Sequence, residues 1–151
     1  VDPSNYNAIV IIGGPGTIML AEQPEIYTLL KQANKQEKLI AAICLAPTIL
    51  AKADLLRMKK ATVWNGDGMQ SAIIEREGAQ YTGEDVTVDG RIITANGPDA
   101  AEAFGEKITD EPCHIHKSRW KMVHHEPFCK NLKCPNYKKM LEFYKSHEKR
   151  N

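Results

Sequence analysis

Histidine is missing from residues 1–110 of this 151-residue chain, which leaves that stretch without an imidazole base. Aromatic residues are sparse at 7%, and net charge is nearly absent, with 20 Lys/Arg against 19 Asp/Glu. Near-neutrality argues against a nucleic-acid binder that works through bulk charge. Long apolar runs are lacking too. None approaches the roughly 20 residues of a membrane span, and the densest, Leu39 to Pro47, suits a buried strand and its turn. No charged-then-apolar leader opens the chain, so a cytoplasmic protein without membrane contact is expected. What is present is a 42% apolar fraction. That excludes wholesale disorder and supplies one domain with a core, plus a small appendage.

The balanced total conceals a division. Residues 1–110 carry 10 Lys/Arg against 15 Asp/Glu, and residues 111–151 carry 10 against 4. All five histidines and three of the four cysteines lie in the second part. Two units with separate chemistry are expected: residues 1–110, and a basic Cys/His-rich extension over 111–151.

Within the first unit, Ala8 to Ile12 is a β-branched run ending at Gly13-Gly14-Pro15-Gly16. A run apolar on both faces suits a buried parallel strand. Pro24 to Lys38 reads as a helix with Ile26, Leu29, Leu30 and Ala33 on one face. Leu39 to Ile43 is a second buried strand, with a helix expected from Leu45 through Ala51. Ala61 to Trp64 is read as a third strand and Met69 to Glu77 as a third helix. Val86-Thr87-Val88 and Arg91 to Thr94 flank an Asp89-Gly90 hairpin turn. Asp99 and Glu102 have capping-box spacing for a helix reaching Ile108. Such alternation implies an α/β fold, a mostly parallel sheet between helices.

Cys44 stands where the second strand hands over to a helix. A nucleophile on so sharp a turn needs small residues two positions either side, and Ala42-Ile43-Cys44-Leu45-Ala46 supplies them. Backbone N–H groups at the helix start would favour the thiolate. In open α/β sheets ligands gather at the carboxyl ends of strands, where Cys44 and Gly13-Gly14 both fall. The amides of these glycines, with that of Leu45, are candidates for an oxyanion hole. The bland alternative is that Cys44 is one more buried small residue. Gly13-Gly14-Pro15-Gly16 lacks the lysine of a phosphate-binding loop. Asp67 between glycines reads as turn chemistry, and Glu75 and Glu77 as a solvated helix face.

Four phrases in order resemble the ThiJ/PfpI superfamily: Tyr6 to Gly16, Lys38 to Pro47, Lys59 to Val63, and Val88 to Pro98. The resemblance implies a flavodoxin-like three-layer sandwich, often oligomeric, with Cys44 as the reactive cysteine. Gly14 and Leu45 would then supply the oxyanion-hole amides, and the α/β domain would need no cofactor. It implies deglycase, glyoxalase or peptidase-like action on a small carbonyl or peptide substrate, or a role in chaperoning or oxidative-stress sensing. Departures accompany the match. The family's opening strand and helix, which carry a glutamate bonded to the cysteine, have no counterpart before Val1-Asp2-Pro3; a truncated or divergent member is expected. Leu45 replaces the histidine or alanine usual after the cysteine, and Trp64 stands near a family histidine position.

In the second unit, Cys113, His116, Cys129 and Cys134 form two close pairs joined by a loop, an arrangement that suits a structural zinc. His114, His124 and His125 compete as ligands. A helix from Tyr137 to about Lys149 would carry Tyr137, Met140, Leu141 and Tyr144 on one stripe. The alternative is a surface extension with free cysteines docked by that stripe. Disulfides fit a cytosolic chain less well, and nucleic acid is not an expected partner.

Three functional readings follow. The first is a cysteine-nucleophile enzyme acting on reactive carbonyls or amides. The second is a non-enzymatic redox sensor or chaperone-like protein in which Cys44 oxidises. The third is a catalytically decayed binding module with a zinc-stapled tail.

Overall fold

The structure is a computed structural model that describes residues 2–110 and, as backbone only, three short strands beyond them. It divides into two units, Val1–Ile108 and Thr109–Asn151. In the first, a four-stranded sheet is built from β1 (Ala8–Ile12), β2 (Leu39–Ile43), β5 (Val86–Asp89) and β6 (Ile92–Ala95), in the order β1-β2-β6-β5. β1, β2 and β6 run parallel, and β5 returns antiparallel beside β6 through the Asp89-Gly90 turn. Gly90 takes φ +62° there, the conformation that the hairpin turn demands. Two shorter strands, β3 (Lys60–Ala61) and β4 (Gln80–Tyr81), pair parallel with each other.

β2 is the centre of the molecule, and all five of its residues are buried. Side chains alternate between the faces of a strand, so β2 feeds two cores. Ile40 and Ala42 pack with Leu30 and Ala33 of α2 (Pro24–Lys35), Ile49 and Leu50 of α3 (Pro47–Lys52), and Ile74 of α4 (Gln70–Arg76). Leu39, Ala41 and Ile43 pack on the other face with Ile93, Ala95, Ala100 and Phe104 of α5 (Ala101–Asp110). The result is the α/β fold with helices on both faces of a mostly parallel sheet. Among the described residues no helix is long and apolar enough to cross a membrane.

Several elements depart from the sequence reading, each for a local reason. The helix expected from Leu45 starts at Pro47, because residues 44–46 form a turn and proline is preorganised for the first helical position. α2 stops at Lys35, and Glu37 takes φ +57° while the Lys38 N–H donates back to the Ala33 carbonyl at 3.0 Å, a left-handed helix stop. The third strand shortens to Lys60–Ala61. Asp99 lies inside a 3-10 turn, Pro98–Ala100, and makes no cap bond. A short helix α1 (Thr17–Ala21) and the strand β4 went unread in the sequence. β1 pairs with β2 alone among the described residues, so Val10 and Ile12 are exposed, where a two-sided burial was expected.

In the second unit the backbone forms an antiparallel set of three strands, β7 (Pro112–Cys113), β8 (Ser118–Val123) and β9 (Glu126–Cys129).

Candidate functional site

Cys44 follows the last residue of β2 and adopts φ +64°. A left-handed backbone costs an L-residue about 1–2 kcal/mol and persists only where neighbours hold it. Here they do. The Cys44 N–H donates to the Ala95 carbonyl of β6 at 3.0 Å, and its carbonyl accepts from the Trp64 N–H at 3.0 Å. Three other non-glycine residues share the left-handed region. Two of them, Glu37 and Asp54, are helix stops. Cys44 is different, since it sits at a strand-to-helix elbow. Its side chain is half-buried and packs on the core formed by Ala95 and Ala100.

The turn leaves one backbone donor free beside the sulfur's residue. The Ala46 N–H donates to Ile43 at 3.2 Å, the Thr48 N–H to Leu45 at 3.2 Å, and Pro47 has none to give. The Leu45 N–H has no acceptor among the described residues. Gly13 closes the other side. Its N–H donates to the Ile43 carbonyl at 3.0 Å. A Cβ added there would lie 2.5 Å from the Ala46 nitrogen and 2.6 Å from the Leu45 nitrogen. The β1 loop thus touches the elbow backbone directly, which only glycine permits.

Gly14 is engaged differently from the sequence expectation. Its N–H donates to Thr17 Oγ1 at 2.9 Å, and the Thr17 N–H returns to the Gly14 carbonyl at 2.9 Å. Thr17 was not singled out in the sequence. The signal was there in Gly14-Pro15-Gly16-Thr17, where a hydroxyl three residues after a turn residue can close a local ring.

Of two cavities in this unit, one reaches the elbow through Leu45, and neither is lined by Cys44 itself. One is lined by Leu45, Thr17, Thr48, Lys52 and Gln70 among others. The other is lined by Trp64, Asn65, Tyr81, Asn96 and Gly97. Asp67 accepts from the Met69 N–H and then from Gln70, and these two bonds hold its carboxyl below the usual range. That is turn chemistry on the surface. His116 and Cys134 lie outside the described residues, as do His114, His124, His125 and the Tyr137–Lys149 segment. Cys113 and Cys129 fall on strands described by backbone alone.

The fold and the elbow define a class: open α/β proteins that present a cysteine at the carboxyl end of a central parallel strand. The chain belongs to the DJ-1/PfpI family, whose model matches residues 1–111. It is 39% identical over 109 residues to an uncharacterized protein of Methanocaldococcus jannaschii, covering 72% of this chain and 53% of that one. It is 34% identical to the glutathione-independent glyoxalase DJR-1.2 of Caenorhabditis elegans, covering 73% and 57%. Among solved structures, a ThiJ/PfpI domain protein from Brachyspira murdochii superposes with a TM-score of 0.67 at 30% identity, over 72% of this chain and 61% of the other. The chain spans little more than half the length of these curated relatives.

Proposed function

We propose that the Cys44 thiolate adds to the carbonyl carbon of a small reactive aldehyde. The observation that carries this reading is the left-handed Cys44, clamped at φ +64° at the carboxyl end of β2 beside the free Leu45 amide. In the step, a C–S bond forms, the π pair of the C=O moves onto oxygen, and the thiol proton passes to solvent. The Leu45 N–H stabilises the resulting oxyanion.

An aldehyde suits the residues better than a peptide. Addition to an aldehyde expels no leaving group, whereas amide cleavage must protonate a departing amine. Residues 1–110 contain no histidine to do so. The glyoxalase name of the C. elegans relative points to the same substrate class.

The test is conversion of glyoxal and water to glycolate without glutathione, a reaction in which one carbonyl carbon is oxidised and the other reduced. Cys44→Ser is expected to lower kcat by about 10²-fold or more, as loss of a nucleophile does. Wild-type turnover no faster than buffer, or a Cys44→Ser variant as fast as wild type, overturns the proposal.

A further inference from the structure

We infer that the cleft beside Trp64 binds a neutral, hydroxyl-rich ligand about the size of one sugar ring. The inference goes beyond the aldehyde reading and does not rest on it, because Cys44 does not line this cleft. The cleft lies past the carboxyl ends of β3 and β6, where ligands of open α/β sheets collect. Val63 and Trp64 follow β3, and Asn96 and Gly97 follow β6. Its volume is about 380 Å³, at the small end of the range for ligand pockets.

Trp64 is held in place from several sides. Its N–H donates to the Cys44 carbonyl at 3.0 Å. A Cβ on Gly66 would stand 2.9 Å from Cε2 of the indole, and one on Gly97 would stand 3.3 Å from Cδ1. The ring thus rests on bare backbone, yet the residue stays 36% exposed. A fixed and partly open indole offers a flat apolar surface for the C–H face of a ring.

Two carboxamides line the same cleft, and the protein fixes which end of each is left for a ligand. Asn65 Oδ1 accepts the Ser71 N–H at 3.1 Å, so its NH2 group is the end presented. Asn96 Nδ2 donates to Asp85 Oδ1 at 2.9 Å, so its carbonyl oxygen remains as an acceptor. Neither amide can flip without setting donor against donor or acceptor against acceptor. A fixed donor and a fixed acceptor in one cleft match hydroxyl groups, which serve both ways. Of the lining residues only Asp99 is charged. Its carboxylate repels phosphates and carboxylates, while the Asn65 NH2 opposes a cation.

The experiment titrates the full chain with methyl β-D-glucopyranoside, a non-reducing probe that has no aldehyde for Cys44 to attack. The indole N–H resonance of Trp64, assigned by its loss in Trp64→Phe, reads the site itself. A saturable shift is expected, with a Kd of about 1 mM. Calorimetry then compares Trp64→Ala and Asn65→Asp with wild type, and each is expected to weaken binding about tenfold. Asn65→Asp keeps an oxygen for the Ser71 N–H, so its thermal midpoint should stay close to wild type while the presented donor is lost. Absence of a saturable shift, or binding that survives both variants, overturns the inference. Tighter saturation of the same signal by choline or by adenosine also overturns it, since the cleft then takes a cation or a planar base. Should Trp64→Ala not fold, Asn65→Asp carries the comparison alone.

Discussion

At the elbow, the residue in the strained conformation and the residue that permits it are different. Cys44 carries φ +64°, while Gly13, thirty-one positions earlier in the chain, supplies the space for its backbone. A methyl group at Gly13 meets the Ala46 and Leu45 nitrogens at 2.5 and 2.6 Å and the Ile43 oxygen at 2.7 Å, all backbone atoms that cannot swing aside. Gly13→Ala is therefore expected to destabilise the protein by about 2–3 kcal/mol, in the range of overpacking, and to lower Cys44 alkylation at temperatures where the variant remains folded. A urea melt beside wild type checks the first part. The elbow cysteine and the Gly13-Gly14 bend were both legible in the sequence. The engagement of Gly14 with Thr17 was not, because a hydroxyl's choice of partner depends on the loop's actual path.

Among the elements, the β5–β6 hairpin is tied to β3 by a single carboxylate. Asp89 accepts the Lys60 N–H at 2.9 Å and the Lys59 ammonium at 3.0 Å. These bonds, the Lys60 amide first, hold its carboxyl below the ordinary 3.8. The carboxylate is harder to protonate in the folded protein than in the unfolded chain. Its contribution is therefore present above about pH 4 and disappears as the pH falls through the lower folded value. With side chains 35% and 29% exposed, the pair is screened, and Asp89→Asn is expected to cost about 1 kcal/mol at pH 7. The difference between variant and wild type should shrink in urea melts as the pH is taken progressively below 3.8, where the native carboxylate begins to be lost as well. The hairpin itself was readable from Asp89-Gly90, but the partner of Asp89 was not, since Lys59 lies thirty residues away.

On the scale of the first unit, the sheet has one well-covered centre and, among the described residues, one strand paired on a single side. β2 is buried throughout, yet β1 exposes Ile12 at 71% and Val10 at 44%. Residues 3–21 contain no charged side chain, so this edge lacks the lysines that usually discourage strand-to-strand association. Ile18 and Met19 of α1 are exposed as well, at 70% and 71%. Ile12→Lys is expected to change stability by no more than about 0.5 kcal/mol, as surface substitutions do, and to lower concentration-dependent light scattering of the 151-residue chain. A large loss of stability would show instead that Ile12 is covered in solution.

The sequence by itself determined the α/β class, the positions of β1, β2 and the hairpin, and the cysteine at the elbow. Those features are written in hydrophobic period, glycine placement and dipeptide turns, which act over a few neighbouring residues. Only the tertiary structure decided that α3 begins at Pro47, and that among the described residues the Leu45 amide finds no acceptor while Gly14 is bonded to Thr17. Each of these depends on which backbone groups from distant segments reach one another first, and a hydrogen bond once made removes that group from every other use.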